Sequence, residues 1–115
     1  MANTNSVQIV EKNPGTKIEW RQSNFKLIFG DDDLAIRCDT RQRDWLVHVD
    51  VCADDDGNLV IGVVTGRYYV AQIDIPAIEY TETENESGEM VRTALPLDMS
   101  KVILTLWSID DLNNY

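Results

Sequence analysis

Apolar residues alternate with polar or small ones along most of this chain, and that period of two is typical of β-strands with one buried face. The clearest example is residues 45–52, where Trp45, Val47, Val49 and Val51 are apolar and the positions between them are mostly polar or small. No window sustains the 3.6-residue period of an amphipathic helix. The sequence therefore predicts an all-β protein without a helix longer than about ten residues.

Turn sequences divide these alternating stretches at the short spacing typical of an antiparallel sandwich or barrel built mainly from consecutive hairpins. Asn13-Pro14-Gly15 suits a type II turn, and Gly or Asp residues mark three later turns at 30–33, 54–57 and 86–88. We expect one domain over residues 7–115 and a disordered N-terminus at 1–6. The predicted strands lie near residues 7–12, 16–22, 25–29, 34–39, 44–53, 58–65, 67–73, 77–84, 89–95 and 101–108.

The register of the hairpin around Asp54–Gly57 follows from burial. A three-residue loop, 55–57, keeps apolar residues opposite one another, whereas a two-residue loop would place aspartates beside apolar partners. The three-residue loop also puts Gly57 at the left-handed position of the turn, where glycine is least strained. The same strand would hold Gly62 in an extended conformation. The predicted opposite pairs are Val51 with Ile61, Val49 with Val63 and Ala53 with Leu59.

A second hairpin, closed by Ser87-Gly88 as a two-residue loop, would place Tyr80 opposite Leu95 and Ile78 opposite Leu97. Two segments, 59–64 and 102–107, are apolar on both faces, which is typical of central strands. A second subunit covering them is the alternative. Gly66 fits either a tight turn or a bulge in one long strand.

The chain is acidic, with 20 Asp and Glu against 10 Lys and Arg and a net charge of −10. Such a surface repels phosphate backbones and anionic membranes, so we expect no direct nucleic-acid binding and no membrane binding. A basic protein surface is a suitable partner, since opposite charge speeds encounter. Residues 1–6 contain neither the basic nor the apolar region of a signal peptide, so we expect none. The two cysteines, Cys38 and Cys52, are predicted to be reduced thiols. These features predict a cytoplasmic protein.

No catalytic motif is present, and the sequence predicts neither a cofactor nor a metal centre. His48 is the only histidine and shares a strand face with Asp50 and Cys52. About 13 Å of strand separates His48 from Cys52, which is too far for a nucleophile and its base. Asp50 is close enough to orient the imidazole. We therefore expect no enzymatic activity.

The aromatic residues suggest ligand binding as an alternative function. Trp20, Trp45 and Trp107 continue apolar strand faces, so we predict that all three pack in the core. Tyr68 and Tyr69 point to opposite faces of their strand, so one of them should leave the core. An exposed tyrosine could stack on a ligand ring, and Tyr68 and Tyr69 are therefore the candidate ligand-binding residues.

Two aspartate triplets are the candidate partner-binding residues: Asp31, Asp32, Asp33 and Asp54, Asp55, Asp56. If strands 25–29, 34–39 and 44–53 form a meander, both triplets lie at one end of the sheet. The turn at 40–43, with two arginines, then lies at the other end. Asp74 and Asp98 would join the acidic end if Gly66 is a true turn.

Three explanations of the acidic end remain open: solvated turns, a protein-docking surface, or a Ca²⁺ site built from oxygen ligands. An EF-hand is excluded, because the spacing from Gly57 puts Cys52 and Val63 at its first and last ligand positions. The function that best fits the sequence is a non-enzymatic acidic interaction module, such as an inhibitor, an immunity-type protein or an assembly component. The alternative is a ligand-binding β domain that uses exposed aromatics, with or without Ca²⁺ at the Asp-rich turns. Self-association into a homo-oligomer is compatible with both.

Overall fold

The computed structural model describes residues 5–62 and 68–110. Strands hold 48% of these residues and helix only 8%, which confirms the all-β prediction. The helical segments are one four-residue turn, α1 (Cys38–Arg41), and a 3₁₀ turn at Met99–Lys101. The strands are β1 (Gln8–Glu11), β2 (Trp20–Ser23), β3 (Lys26–Phe29), β4 (Leu34–Arg37), β5 (Val47–Ala53), β6 (Leu59–Ile61), β7 (Tyr68–Ile75), β8 (Tyr80–Glu84), β9 (Met90–Ala94) and β10 (Ile103–Leu106).

The ten strands form three sheets. The largest has five strands in the order β1-β10-β7-β5-β6, and it is antiparallel except for the parallel pair of β1 with β10. A second sheet has the order β2-β3-β4, and β8 pairs with β9 in a two-stranded sheet. No helix in the described residues is long and apolar enough to cross a membrane.

One hydrophobic core joins the five-stranded and three-stranded sheets. The period-two pattern explains it, because alternate residues of each strand point to the same face. Val49 and Val51 of β5 point inward, whereas His48 and Asp50 lie on the outer face. Fully buried side chains from both sheets and from the 3₁₀ turn include Leu27, Phe29, Ile36, Val70, Ile73, Ile75, Met99 and Leu104.

The two segments predicted to be central strands have different outcomes. β10 lies between β1 and β7, as its two apolar faces predicted. β6 is an edge strand, so the prediction of a central strand at 59–64 is wrong for its described part, where Ile61 is 44% exposed. Gly66 and the predicted pairing of Val49 with Val63 lie outside the described residues.

The two hairpin predictions also differ in outcome. Ala53 pairs with Leu59 and Val51 with Ile61, which confirms the three-residue loop at 55–57. The second hairpin is wrong by one residue, because Tyr80 pairs with Ala94 rather than Leu95. Its loop also has three residues, 86–88, and Gly88 takes the positive φ of 79° that Gly57, at 82°, takes in the first loop. Both loops follow an Asp or Asn and end in glycine.

The predicted meander is wrong, because β4 and β5 do not pair and belong to different sheets. The chain leaves β4 through α1 instead of continuing as strand to residue 39. Asp39 accepts hydrogen bonds from the Arg37 side chain and from the Thr40 backbone, and these local bonds favour a turn. Cys38 is buried in the core at this turn.

The hairpin of β8 and β9, residues 80–94, is here called the arm. Its strands pair only with each other among the described residues, and every residue from 81 to 94 is exposed. The molecule is correspondingly elongated, with extents of 65 × 26 × 23 Å and a radius of gyration of 17.1 Å. A compact domain of this length has a radius of gyration of about 13 Å.

The tryptophans do not share one environment. Trp20 packs against the core, as predicted. Trp45 is 64% exposed, so its predicted core position is wrong. Trp107 is half-buried on the outer face of the five-stranded sheet, where its ring stacks on Tyr69 instead of entering the core. The regular strand β5 begins only at Val47, so the alternation that includes Trp45 continues past the start of the sheet.

Candidate functional site

The two aspartate turns line one cavity, although they belong to different sheets. Gly30 and Asp33, in the β3–β4 turn, and Gly57, in the β5–β6 turn, are among its lining residues. The cavity has a volume of about 390 Å³ and is here called the acidic cavity. Its remaining lining residues are Ile18, Glu19, Ala53, Leu59, Val70 and Ile109.

The β5–β6 turn is held by Asp54. Its carboxylate Oδ1 accepts hydrogen bonds from the backbone N–H groups of Asp56 and Asn58, both at 2.9 Å. The backbone N–H of Gly57 donates to the Asp54 carbonyl at 3.0 Å. Asp54 is therefore a structural residue of the turn, whereas Asp55 and Asp56 are exposed.

The β3–β4 turn has a different internal structure. Asp32 adopts a positive φ of 61°, which Asp tolerates better than most residues, and Gly30 has a φ of 68°. The backbone N–H of Asp33 donates to the Phe29 carbonyl at 3.1 Å. The carboxylate of Asp32 forms an exposed ion pair with Arg21, which offsets one of the three charges.

The other predicted members of the acidic end lie elsewhere. Asp74 pairs with His48 at the start of β5, at the opposite end of that strand from the Asp54 turn. Asp98 precedes β10, at the same end as Asp74, and its carboxylate accepts from the backbone N–H of Ser100. Hydrogen bonds from the Ser100 side chain and backbone lower the pKa of Asp98. The connection at 40–43 with its arginines also lies at this end, as predicted.

Tyr68 and Tyr69 lie at the Asp54 end of β7, opposite Ala53 and Cys52. Tyr69 is 39% exposed, and its ring stacks on that of Trp107 with 5.1 Å between ring centroids and 21° between planes. Tyr68 is half-buried. Tyr69 is thus the tyrosine that leaves the core.

A row of hydrogen-bonded polar side chains continues from this stack along the outer face of the sheet. Trp107 Nε1 donates to Gln72 Oε1 at 3.0 Å, and Gln72 Nε2 donates to Asp50 Oδ1 at 3.1 Å. His48 lies between Asp50 and Asp74, with its ring nitrogens 2.7 and 2.6 Å from their carboxylate oxygens. The predicted contact of Asp50 with His48 is present, but the strand pattern of β5 carries no signal for Asp74.

The hydrogen bond with Asp74 is the largest cause of a raised pKa of His48, and partial burial opposes it. Because both ring nitrogens already face carboxylates, neither is directed at a nucleophile. Cys52, the nearest thiol on this strand, is buried and has a raised pKa, mainly through desolvation. This row is suited to holding β5 and β7 together and offers no activated nucleophile.

The acidic turns do not gather ligands for a metal ion. Within residues 5–62 and 68–110, no three His, Cys, Asp or Glu side chains converge closely enough to hold one. The site is therefore an apolar depression with acidic residues at its edge. The alternation of residues along single strands could not reveal that two turns from different sheets share it.

No known protein family, curated protein or solved structure matches this chain.

Proposed function

We propose that this protein is a non-enzymatic interaction module that binds a basic protein surface at the acidic cavity. The observation that carries the proposal is that turns from two different sheets line the same cavity. Five of the six aspartates are exposed, and only Asp54, which holds its turn, is partly buried. Exposed carboxylates on two turns that meet at one partly apolar cavity suit recognition better than solvation alone does.

The chemistry of the cavity resembles the usual arrangement of a protein interface. Energetic hot spots are buried anchor side chains in pockets, surrounded by a polar rim. Leu59 and Ile109, which are partly exposed, supply apolar lining, and Glu19 and Asp33 are the acidic residues at the same cavity. A partner that inserts an apolar side chain and flanks it with Lys or Arg matches both features.

The charge of the whole chain favours the same class of partner. A net charge of −10 attracts a basic surface over long range and speeds its encounter. Within the two turns, the carboxylate of Asp32 is already paired with Arg21. The acidic residues that line the cavity itself are Glu19 and Asp33, and these are the ones that a basic partner would meet.

The test compares three forms of the protein as bait on extracts of the source cells. The cavity variant Glu19→Gln/Asp33→Asn removes two carboxylates without changing side-chain size. The matched control, Glu82→Gln/Glu84→Gln, makes the same change of charge on the arm. We expect wild type and control to retain the same basic proteins and the cavity variant to lose them.

A captured partner is then titrated into ¹⁵N-labelled protein. We expect changes in amide chemical shift that are confined to Gly30, Asp33, Gly57 and their neighbours. The association rate should fall as salt is added. Equal capture by all three baits, or shifts elsewhere on the surface, would remove the acidic cavity as the docking site.

A second candidate is a ligand-binding β domain, which the half-exposed stack of Tyr69 on Trp107 favours. Gln72 and Asp50 lie next in the same row and provide hydrogen-bonding groups beside the rings. Titration with a panel of monosaccharides, followed by tryptophan fluorescence in the presence and absence of Ca²⁺, tests this function. A saturable change that Tyr69→Ala abolishes would support it, and no change across the panel would count against it.

A further inference from the structure

The arm presents an open strand edge. Hydrogen bonds from Leu95 N–H to the Glu79 carbonyl and from Asn85 N–H to the Glu89 carbonyl fix which residues of β8 and β9 bond to each other. Because bonded and non-bonded pairs alternate in an antiparallel ladder, Met90, Arg92 and Ala94 direct their N–H and C=O groups away from β8. No other described strand pairs with this edge.

The two edges of the arm are protected differently. Natural sheets guard exposed edges with charged side chains, prolines or bulges. β8 carries Glu82 and Glu84, whereas β9 carries no carboxylate, no proline and no bulge. The one charge on β9, Arg92, lies over the Tyr80 ring of β8, with Cζ 3.7 Å from the ring centroid, and is drawn away from the open edge.

A two-stranded hairpin by itself is only marginally stable in water. The arm also exposes apolar side chains to solvent. Met90 is 63% exposed and Val91 is 40% exposed, and Leu95, the residue that follows the arm, is also 40% exposed. Pairing with further strands would satisfy the open backbone groups and cover part of this surface.

We infer that two copies of this chain associate through their β9 edges, forming a four-stranded antiparallel sheet from two arms. Of the two edges of the arm, the β9 edge is better suited to pairing between copies that each carry a net charge of −10, because β9 contains no carboxylate whereas β8 contains Glu82 and Glu84. A two-fold axis at Arg92 places Met90 opposite Ala94 and Arg92 opposite its own copy, with each guanidinium lying over the Tyr80 ring of its own arm, and it pairs every outward backbone group of β9. This association is separate from the acidic cavity and does not depend on it.

The association should be weak. Stable specific interfaces bury roughly 1,200 Å² or more, and two five-residue strands paired edge to edge offer less. Sedimentation velocity from about 10 µM to about 1 mM protein covers the affinities expected of small interfaces. We expect a monomer at the low end and a reversible dimer at the high end.

Amide hydrogen exchange locates the contact. Met90, Arg92 and Ala94 should gain protection as the concentration rises, because their N–H groups become bonded to the second copy. The outward amides of β8, at Tyr80, Glu82 and Glu84, should not change. Val91 and Thr93 already donate within the arm and should change less.

Proline substitution provides the matched pair of variants. Arg92→Pro removes an outward N–H from β9 and should abolish the dimer, whereas Glu82→Pro removes the outward N–H directly opposite on β8 and should leave it intact. Arg92→Gln removes the charge but keeps the N–H, so it should still dimerise. Amide chemical shifts of the arm establish that each variant keeps the hairpin.

Three results would overturn the inference: a monomer at every concentration, a dimer whose protection lies on β8 or away from the arm, or loss of the dimer in Glu82→Pro but not in Arg92→Pro. Protection of the β9 edge only when a different protein is added would assign that edge to another partner and would likewise overturn self-association.

Discussion

The imidazole of His48 and the carboxylate of Asp74 connect neighbouring strands, with Nδ1 2.6 Å from Oδ1, while the other ring nitrogen faces Asp50 at 2.7 Å. A neutral imidazole has one N–H, so only the protonated ring can donate to both carboxylates. The arrangement therefore favours the imidazolium form. This agrees with the raised pKa of His48, whose largest cause is the hydrogen bond with Asp74.

Stability should depend on the charge of this residue. The pKa of His48 in the folded protein is raised above the ordinary 6.5. Its stabilising contribution is therefore complete below pH 6.5 and is lost as the pH rises through the folded pKa. His48 is the only histidine, so one set of imidazole NMR signals reports it, and we expect a titration midpoint above 6.5.

His48→Gln is the control for this prediction. Glutamine can hydrogen-bond to a carboxylate but carries no titrating charge, so its free energy of unfolding should not fall over the range in which His48 deprotonates. Urea unfolding at several pH values measures both proteins. A His48 midpoint at or below 6.5, or identical pH profiles for the two proteins, would contradict the imidazolium assignment.

Two glycines of the β5–β6 hairpin should resist substitution. Gly57 has a φ of 82° and Gly62 a φ of 93°, although the strand pattern predicted extended backbone at Gly62. No atom lies within 4 Å of a Cβ built at either position, so the cost of a side chain is conformational. Left-handed backbone costs L residues about 1–2 kcal/mol, so Gly57→Val and Gly62→Ala should both destabilise the protein by roughly that amount.

Gly57→Asn is the matched comparison, because Asn tolerates left-handed backbone better than other residues with side chains. It should cost less than Gly57→Val in urea unfolding. A neutral Gly62→Ala would show that Gly62 is extended, as the sequence pattern predicted, and that the hairpin twists less than the structure has it.

Strand positions could be predicted from the sequence because each depends on local information. Alternation located all ten strands, and burial of Val51 and Ala53 fixed the register of the first hairpin. The second hairpin was missed by one residue because its side chains are exposed on both faces, so burial does not favour one register over another. The three-residue loop of this hairpin could have been recognised from Asn85 and Gly88, because they occupy the same loop positions as Asp54 and Gly57 in the first hairpin.

Sheet membership could not be predicted in the same way. Pairing of β4 with β5 was the simplest topology, and the turn at α1 that separates them depends on a few local hydrogen bonds. The two aspartate turns nonetheless line one cavity, because the sheets that carry them pack on a common core. The acidic cavity is thus a product of packing between sheets, and the partner of His48 on β7 depends on strand pairing across 26 residues.

Both cysteines should be unreactive thiols in the folded protein. Cys38 is fully buried in the core, and desolvation raises its pKa to about 12. Cys52 is 2% exposed and lies outside the core cluster, on the outer face of its strand. Neither side chain forms a disulfide. We expect labelling by a thiol reagent at pH 8 only after addition of denaturant, because the thiolate is the reactive form.

The mass of the unreduced protein checks the same point. A disulfide would lower the mass by about 2 Da and would need Cα atoms within about 7 Å and facing side chains. Rapid labelling of either cysteine without denaturant would mean that the β5–β7 region or the α1 turn opens readily.

The aspartates at the acidic cavity should cost stability when salt is low. Negatively charged carboxylates held near one cavity repel each other. Salt ions weaken this repulsion by screening, with a Debye length of about 10 Å at 0.1 M salt. Asp54 holds its turn and Asp32 pairs with Arg21, so neither is suited to the test. Asp31→Asn/Asp56→Asn should raise the melting temperature at low ionic strength, and the gain should shrink as salt is added.

The control and a contrasting variant separate repulsion from turn structure. Glu82→Gln/Glu84→Gln removes the same formal charge from the arm, where Glu82 lies opposite Arg92, and should give a smaller gain. Asp54→Ala leaves two backbone N–H groups without their acceptor and should lower stability by about 1 kcal/mol at every salt concentration. If Asp31→Asn/Asp56→Asn behaved like Asp54→Ala, its carboxylates would be structural residues of the turns. The charge available for a basic partner would then be smaller than the sequence suggests.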